Sequence, residues 1–214
     1  MGADVFDAGW LEGVQRFPSP NHDERPAGEQ VRLAVIHAIS LPPDQFGGPG
    51  VMQLFTNTLD AAEHPYYAGI VHLRVSAHFF IRRDGHLFQF VPIHRRAWHA
   101  GVSSWQGRER CNDFSVGIEL EGCDSQPFEP VQYQCLARLL VRLQAIMPLE
   151  AICGHSDIAP GRKTDPGPFF FWPVLAEYLV RCDAGDMMSL LPLSFDESSM
   201  MSKPLVAGEG AKKC

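Results

Sequence analysis

"FSVGIELEG", residues 114–122, is the stretch on which the fold turns. Phe114, Val116, Ile118 and Leu120 alternate with Ser115, Gly117, Glu119 and Glu121, the two-residue period of a β-strand whose side chains point to opposite faces. The apolar face predicts a strand laid against a core. Two acids on the opposite face ordinarily mark a solvated surface, and that is the first reading of Glu119 and Glu121.

Outward from this strand the chain offers partners for it. "VRLAVIHAIS" (31–40) is rich in branched residues and runs into the loop "LPPDQFGGPG", which predicts a buried strand with His37 near its carboxyl end. "SAHFFIRRDGHLFQFV" (76–91) holds two apolar runs around Asp84-Gly85, the pattern of a tight hairpin. "VMQLFTNTLD" (51–60) suggests a short helix. In "PVQYQCLARLLVRLQAIM" (130–147), Leu136, Leu139, Leu140, Leu143 and Met147 recur at helical spacing behind Pro130, which suits a first turn. "FWPVLAEYLVRC" (171–182) predicts a second helix. The sum is an α/β chain of the α+β type: a single domain with a mixed central sheet flanked by helices. After Asp183 the periodicity dissolves, so residues 1–182 are expected to form the domain and 183–214 a disordered tail.

Composition narrows the function classes. The 214 residues suit one domain, and 45% hydrophobic content with a mean hydropathy of −0.09 describes a soluble globular chain. No window approaches the roughly 18 apolar residues of a membrane span, and the opening "MGADVFDAGW" has no apolar run, so neither membrane association nor a signal peptide is expected. Six cysteines without paired spacing read as reduced thiols. A net charge of −7 argues against nucleic acid as a partner but leaves room for a small acidic substrate met by a local cluster of positive charge. The expectation is a cytoplasmic protein without an obligate protein partner.

The chemistry gathers in "GHSDIAPGRKTDPG", residues 154–167. His155, Asp157, Lys163 and Asp165 sit among glycines and prolines that exclude regular structure while stiffening an irregular path. His37, Glu119 and this loop could meet at one place. Two neutral imidazoles and a carboxylate are the ligand set of many catalytic zinc sites, with a fourth position left open. Singly, each residue has a plainer reading: His37 as a satisfied core histidine, Glu119 as surface, "RKTDPG" as a turn with a surface cation. Cys153 and Asp157 compete as ligands, and His78 and His99 are candidates for supporting a ligand from behind.

Four segments, "VIHAISLPP", "EHPYYAGIVHLRVSAHFFIRRDG", "RAWHAGVSSWQGRERCNDFSVGIELEG" and "GHSDIAPGRKTDPGPFF", closely resemble the AmpD family of bacterial 1,6-anhydro-N-acetylmuramoyl-L-alanine amidases. That family lies within the wider group of zinc amidases and peptidoglycan recognition proteins, and the likeness covers roughly residues 8–180. The resemblance implies a mixed sheet flanked by helices and one Zn2+ per chain held by His37, His155 and Asp165. It further implies Glu119 and Lys163 as catalytic residues, and Arg74 and Arg110 as contacts to a small muropeptide in cytoplasmic cell-wall recycling. Trp98 is a candidate wall for the sugar. "HAIS" departs from the family pattern at Ala38, where relatives usually carry Asn; an alanine side chain offers no hydrogen bond, which bears on substrate contact rather than on the metal.

Overall fold

Residues 114–122 do form the decisive strand, but it lies at the middle of a sheet rather than on its surface. The computed structural model describes residues 8–182. The expected boundary at residue 182 and the expected tail, 183–214, therefore lie at or outside the described residues. In chain order the elements begin with β1 (Gln15–Arg16), β2 (His22–Glu24), β3 (Leu33–Ile39), α1 (Gly50–Phe55), α2 (Pro65–Ala68), β4 (Phe79–Ile81), β5 (Leu87–Gln89) and β6 (Arg95–Ala97). They continue with β7 (Ser104–Trp105), β8 (Arg108–Glu109), β9 (Ser115–Glu121), α3 (Pro130–Gln144), β10 (Ala151–Gly154), α4 (His155–Ile158) and α5 (Trp172–Arg181).

Six strands form one mixed sheet in the order β1-β5-β4-β9-β3-β10. β4, β9, β3 and β10 run parallel, and β5 turns back antiparallel to β4. Two small antiparallel pairs, β2 with β6 and β7 with β8, stand apart. Because β9 is flanked by β4 and β3, every one of its residues is buried. The expected solvated face is thus corrected. A parallel strand is covered on both sides, and Glu119 and Glu121 are buried acids.

One face of the sheet packs on helices. Ala34 and Ile36 of β3, Phe79 and Ile81 of β4, and Val116, Ile118 and Leu120 of β9 meet Leu136, Leu139, Leu140 and Leu143 of α3 and Leu175 and Leu179 of α5. Phe114 does not follow its predicted partners. It precedes β9 and packs with Leu33, Val35, Cys111 and Cys153 instead. On the same side as those residues, a further cluster of Val51, Leu54 and Phe55 from α1 with Phe80 and Phe90 fills the space under the 41–77 segment.

Local chemistry explains the boundaries. Glu129 and Gln132 form a reciprocal capping box at the start of α3, with Pro130 in the first turn. The helix ends at Gln144, three residues short of the periodic pattern, and Met147 packs on the core from the following turn. The hairpin loop is one residue longer than Asp84-Gly85 alone implied. Arg82 and His86 still pair, leaving Arg83-Asp84-Gly85, with Gly85 at φ +82° where a left-handed residue is needed. Among the described residues, no helix is long and apolar enough to cross a membrane.

Candidate metal centre and active site

β3 and β9 run in register with His37 opposite Glu119, so both side chains leave the same face of the sheet, away from α3. β10 pairs on the other side of β3, with Gly154 opposite Ile36, and His155 follows Gly154 directly. Two parallel strands thus carry the imidazoles to adjacent places. The loop then closes on itself. The Ser156 amide donates to the Asp165 carbonyl at 2.9 Å, and the Asp165 side chain returns to the ring of His155.

The three side chains converge tightly. His37 Nδ1, His155 Nδ1 and Asp165 Oδ2 each lie 3.0 Å from the other two. They form a group of candidate metal ligands among the described residues. His155 Nε2 donates to the Ala100 carbonyl at 3.1 Å, which leaves its Nδ1 lone pair facing the centre. Burial raises the Asp165 carboxyl, and the hydrogen bonds and charge that His155 and His37 offer when protonated on Nδ1 pull it below the ordinary carboxylate range. His37 is fully buried, and burial first, then the charge of its neighbours, brings it to about 4 despite Asp165, so it is a neutral imidazole near pH 7. Two imidazole nitrogens and a carboxylate oxygen aimed at one point are a donor set that a divalent ion such as zinc fits.

The rival ligands have other partners. Asp157 accepts from the Gly154 amide at 2.7 Å and caps the turn that starts at His155. Cys153 is buried, and burial raises its thiol well above the ordinary range, so it stays protonated among apolar neighbours. His78 accepts from the Gly117 amide at 3.1 Å and supports the β9 backbone rather than a ligand. His99 Nδ1 lies 2.9 Å from His37 Nε2, behind one of the converging imidazoles.

These groups open into a cleft of about 550 Å³ whose wall includes His37, Ala38, Trp98, Glu119, Lys163 and Asp165. Glu119 Oε2 is buried without a hydrogen-bond partner. Burial, reinforced by the Asp165 charge and opposed by Lys163, raises the Glu119 carboxyl well above its ordinary value. A buried acid left unpartnered beside three converging donors is a candidate for acid–base work. Trp98 lines the cleft and donates from Nε1 to Asp23 Oδ1 at 3.2 Å. Glu121, two residues beyond Glu119, is occupied: it accepts from the Gly47 amide at 2.6 Å and the Arg83 amide at 3.1 Å, tying the 41–50 loop to the sheet.

Arg74 and Arg110 are not part of this wall. The Arg74 guanidinium is exposed and turned back on the Val71 and Leu73 carbonyls at 3.2 and 3.1 Å. Arg110 adopts a left-handed backbone, pairs through Nε with Asp113 at 3.1 Å, and lines a neighbouring hollow with Arg162. Sequence reasoning passed over Asp124, which reaches the cleft and accepts from Thr164 at 2.7 Å. Nothing in "GCDSQ" marks it, because its role depends on a loop 40 residues away.

A mixed sheet carrying a His-His-carboxylate centre beside a buried glutamate defines a hydrolase class built on strand ends and one irregular loop. Residues 27–168 match the family model of N-acetylmuramoyl-L-alanine amidases. Over 170 residues the chain is 58% identical to 1,6-anhydro-N-acetylmuramyl-L-alanine amidase AmpD of Citrobacter freundii, covering 78% of this chain and 91% of that protein. A crystal structure of a selenomethionine AmpD derivative is similar at a TM-score of 0.79 and 55% identity, over 82% of this chain and 99% of the other. AmiD of E. coli, solved with the substrate anhydro-N-acetylmuramic acid-L-Ala-D-γ-Glu-L-Lys, is similar at a TM-score of 0.52 and 30% identity, over 82% of this chain and 65% of that one. The chain belongs to the N-acetylmuramoyl-L-alanine amidase family.

Proposed function

We propose that the protein hydrolyses the amide between anhydro-N-acetylmuramic acid and L-alanine in small soluble muropeptides, using one zinc ion, in cytoplasmic recycling of the cell wall. The amidase unit is assigned to residues 1–182. The observation that carries the reading is the meeting of His37, His155 and Asp165 in one cleft with the unpartnered carboxyl of Glu119. The likeness to AmpD and to substrate-bound AmiD supports the choice of amide.

His37, His155 and Asp165 would hold the zinc. When bound, it supplies Lewis acidity, polarising a carbonyl and making water acidic enough to lose a proton near neutral pH. Glu119 takes the proton of the attacking water as general base and hands it to the departing alanine nitrogen. Its raised proton affinity suits both halves of that exchange. Lys163, carried to the cleft by the same loop as Asp165, stabilises the negative charge that develops on the carbonyl oxygen. Trp98 offers a flat apolar wall for the sugar ring. Arg74 and Arg110, both exposed, are assigned to the peptide carboxylates outside the cleft. Ala38 lines the cleft without a side-chain hydrogen bond, so a substrate group facing it is left to water.

The test is incubation of purified protein with anhydro-muropeptide and with intact sacculi, with and without chelator, followed by mass spectrometry. Free peptide from the soluble substrate alone, abolished by chelator, is expected. Release from sacculi would move the substrate to intact peptidoglycan. Binding without release from either would make the chain a recognition module.

A further inference from the structure

Three polar groups run in line behind the first of the converging imidazoles. His37 Nε2 lies 2.9 Å from His99 Nδ1, His99 Nε2 lies 3.2 Å from Ser115 Oγ, and Ser115 Oγ lies 2.6 Å from the Cys111 carbonyl. The far end decides the rest. A carbonyl only accepts, so the single Ser115 hydroxyl proton points to Cys111, and Ser115 Oγ accepts from His99. His99 then carries its proton on Nε2 and offers Nδ1 as an acceptor. His37 must donate from Nε2, which leaves its Nδ1 bare toward His155 and Asp165.

The backbone is shaped for this row. A Cβ on Gly117 would fall 2.4 Å from Cγ of His99, so only glycine at that position of β9 leaves space for the ring. Asn112 Oδ1 accepts from the amides of both His99 and Ala100, at 3.2 and 2.9 Å. Ala100 in turn receives the Nε2 proton of His155. One pinned dipeptide therefore orients both imidazoles, through a side chain for His37 and a carbonyl for His155.

We propose that His99 is a positioning residue of the metal centre: with Ser115 it forms a relay that fixes the tautomer of His37, so that the Nδ1 lone pair, rather than a proton, faces the ion. The proposal rests on the zinc reading given above. With both ring protons committed outward, three lone-pair donors stand 3.0 Å apart with no proton between them, an arrangement a cation relieves. Supporting partners of this kind are commonly worth 10–100-fold in metal affinity, by about the amount expected here.

The experiment compares parent, His99→Leu, His99→Asn and Ser115→Ala. Zinc affinity is measured by competition with a chromophoric chelator, and the tautomer of His37 in the zinc-free proteins by long-range proton–nitrogen NMR correlations near pH 8. Asn keeps an oxygen close to the place of the accepting Nδ1; Leu keeps none. The expected result is a loss of roughly 10–100-fold in His99→Leu, a smaller loss in Ser115→Ala, and recovery of most of the affinity in His99→Asn. The parent should show His37 protonated on Nε2, and His99→Leu should show the proton moved to Nδ1, beside Asp165. Zinc binding by His99→Leu within about threefold of the parent, or an Asn variant as weak as the Leu variant, overturns the proposal, as does a parent His37 protonated on Nδ1. If His99→Leu fails to fold, Ser115→Ala decides by the same two readings, since it leaves every ring in place. A parent that binds no zinc would defeat the metal assignment, and the NMR comparison would still judge the relay.

Discussion

His37 and Glu119 are register partners on adjacent parallel strands, and so leave the same face of the sheet at the same level. Strand spacing holds their backbones about 4.8 Å apart, too close for either residue to be repositioned without moving the sheet. The candidate ligand and the candidate base are therefore fixed by backbone hydrogen bonding, while Asp165 and Lys163 arrive on a loop. Rigid placement of the reacting groups on strands gives the precision a hydrolytic site needs.

Glu119→Ala should lower kcat on the order of a hundredfold or more while zinc content stays near one per chain. Steady-state kinetics with metal analysis checks this. Unchanged turnover would remove Glu119 from the chemistry.

The buried acid also predicts a pH signature in the metal-free protein. Burial, with Asp165 adding and Lys163 opposing, raises Glu119 above its ordinary 4.5. A carboxyl raised on folding contributes stability below that ordinary value and loses it as the pH climbs from there through the folded value. Glu119→Gln should therefore match the parent in thermal stability below about pH 4 and exceed it increasingly at higher pH. A constant difference across pH would contradict the burial argument.

Glu121 provides the contrast, two residues along the same strand. Its carboxylate accepts from the Gly47 and Arg83 amides, so Glu121→Ala removes the acceptor of two part-buried donors and frees the 41–50 loop from the sheet. The expected cost is about 1–3 kcal/mol of stability, read as a lower Tm, with kcat reduced far less than by Glu119→Ala.

Asp165→Ala removes one of the three proposed ligands and should abolish stoichiometric zinc binding and turnover together. The fold should survive, because the core of α3, α5 and the sheet lies on the other face. Near-UV circular dichroism alongside metal analysis tests both halves.

Arg110→Ala should raise KM by roughly tenfold with little change in kcat, since an exposed guanidinium beyond the cleft binds ground state and transition state alike. A loss confined to kcat would instead place Arg110 against the developing charge.

Much of this molecule was written locally. The periods of 114–122 and 130–147 named a strand and a helix, because burial on one face leaves a regular trace in residue order. The stretch from Gly154 to Gly167 announced where the chemistry gathers, but its first residues are regular against expectation: Gly154 ends β10, His155–Ile158 form α4, and the irregular path begins only beyond them. The four motif segments placed the chain among the amidases, and the sheet and helices agree with them.

Other features belonged to the tertiary structure alone. Glu119 and Glu121 flank the same Leu120 and follow the same alternation, yet one faces an open cleft without a partner and the other ties down a loop. The difference lies in what the 41–50 loop brings opposite each. Likewise nothing near "WHAG" says that His99 meets His37, 62 residues earlier, or that Gly117 makes the space for it. Secondary structure follows from interactions a few residues apart, whereas a site is made where distant strands are brought into register, and that register is decided by the packing of the whole sheet.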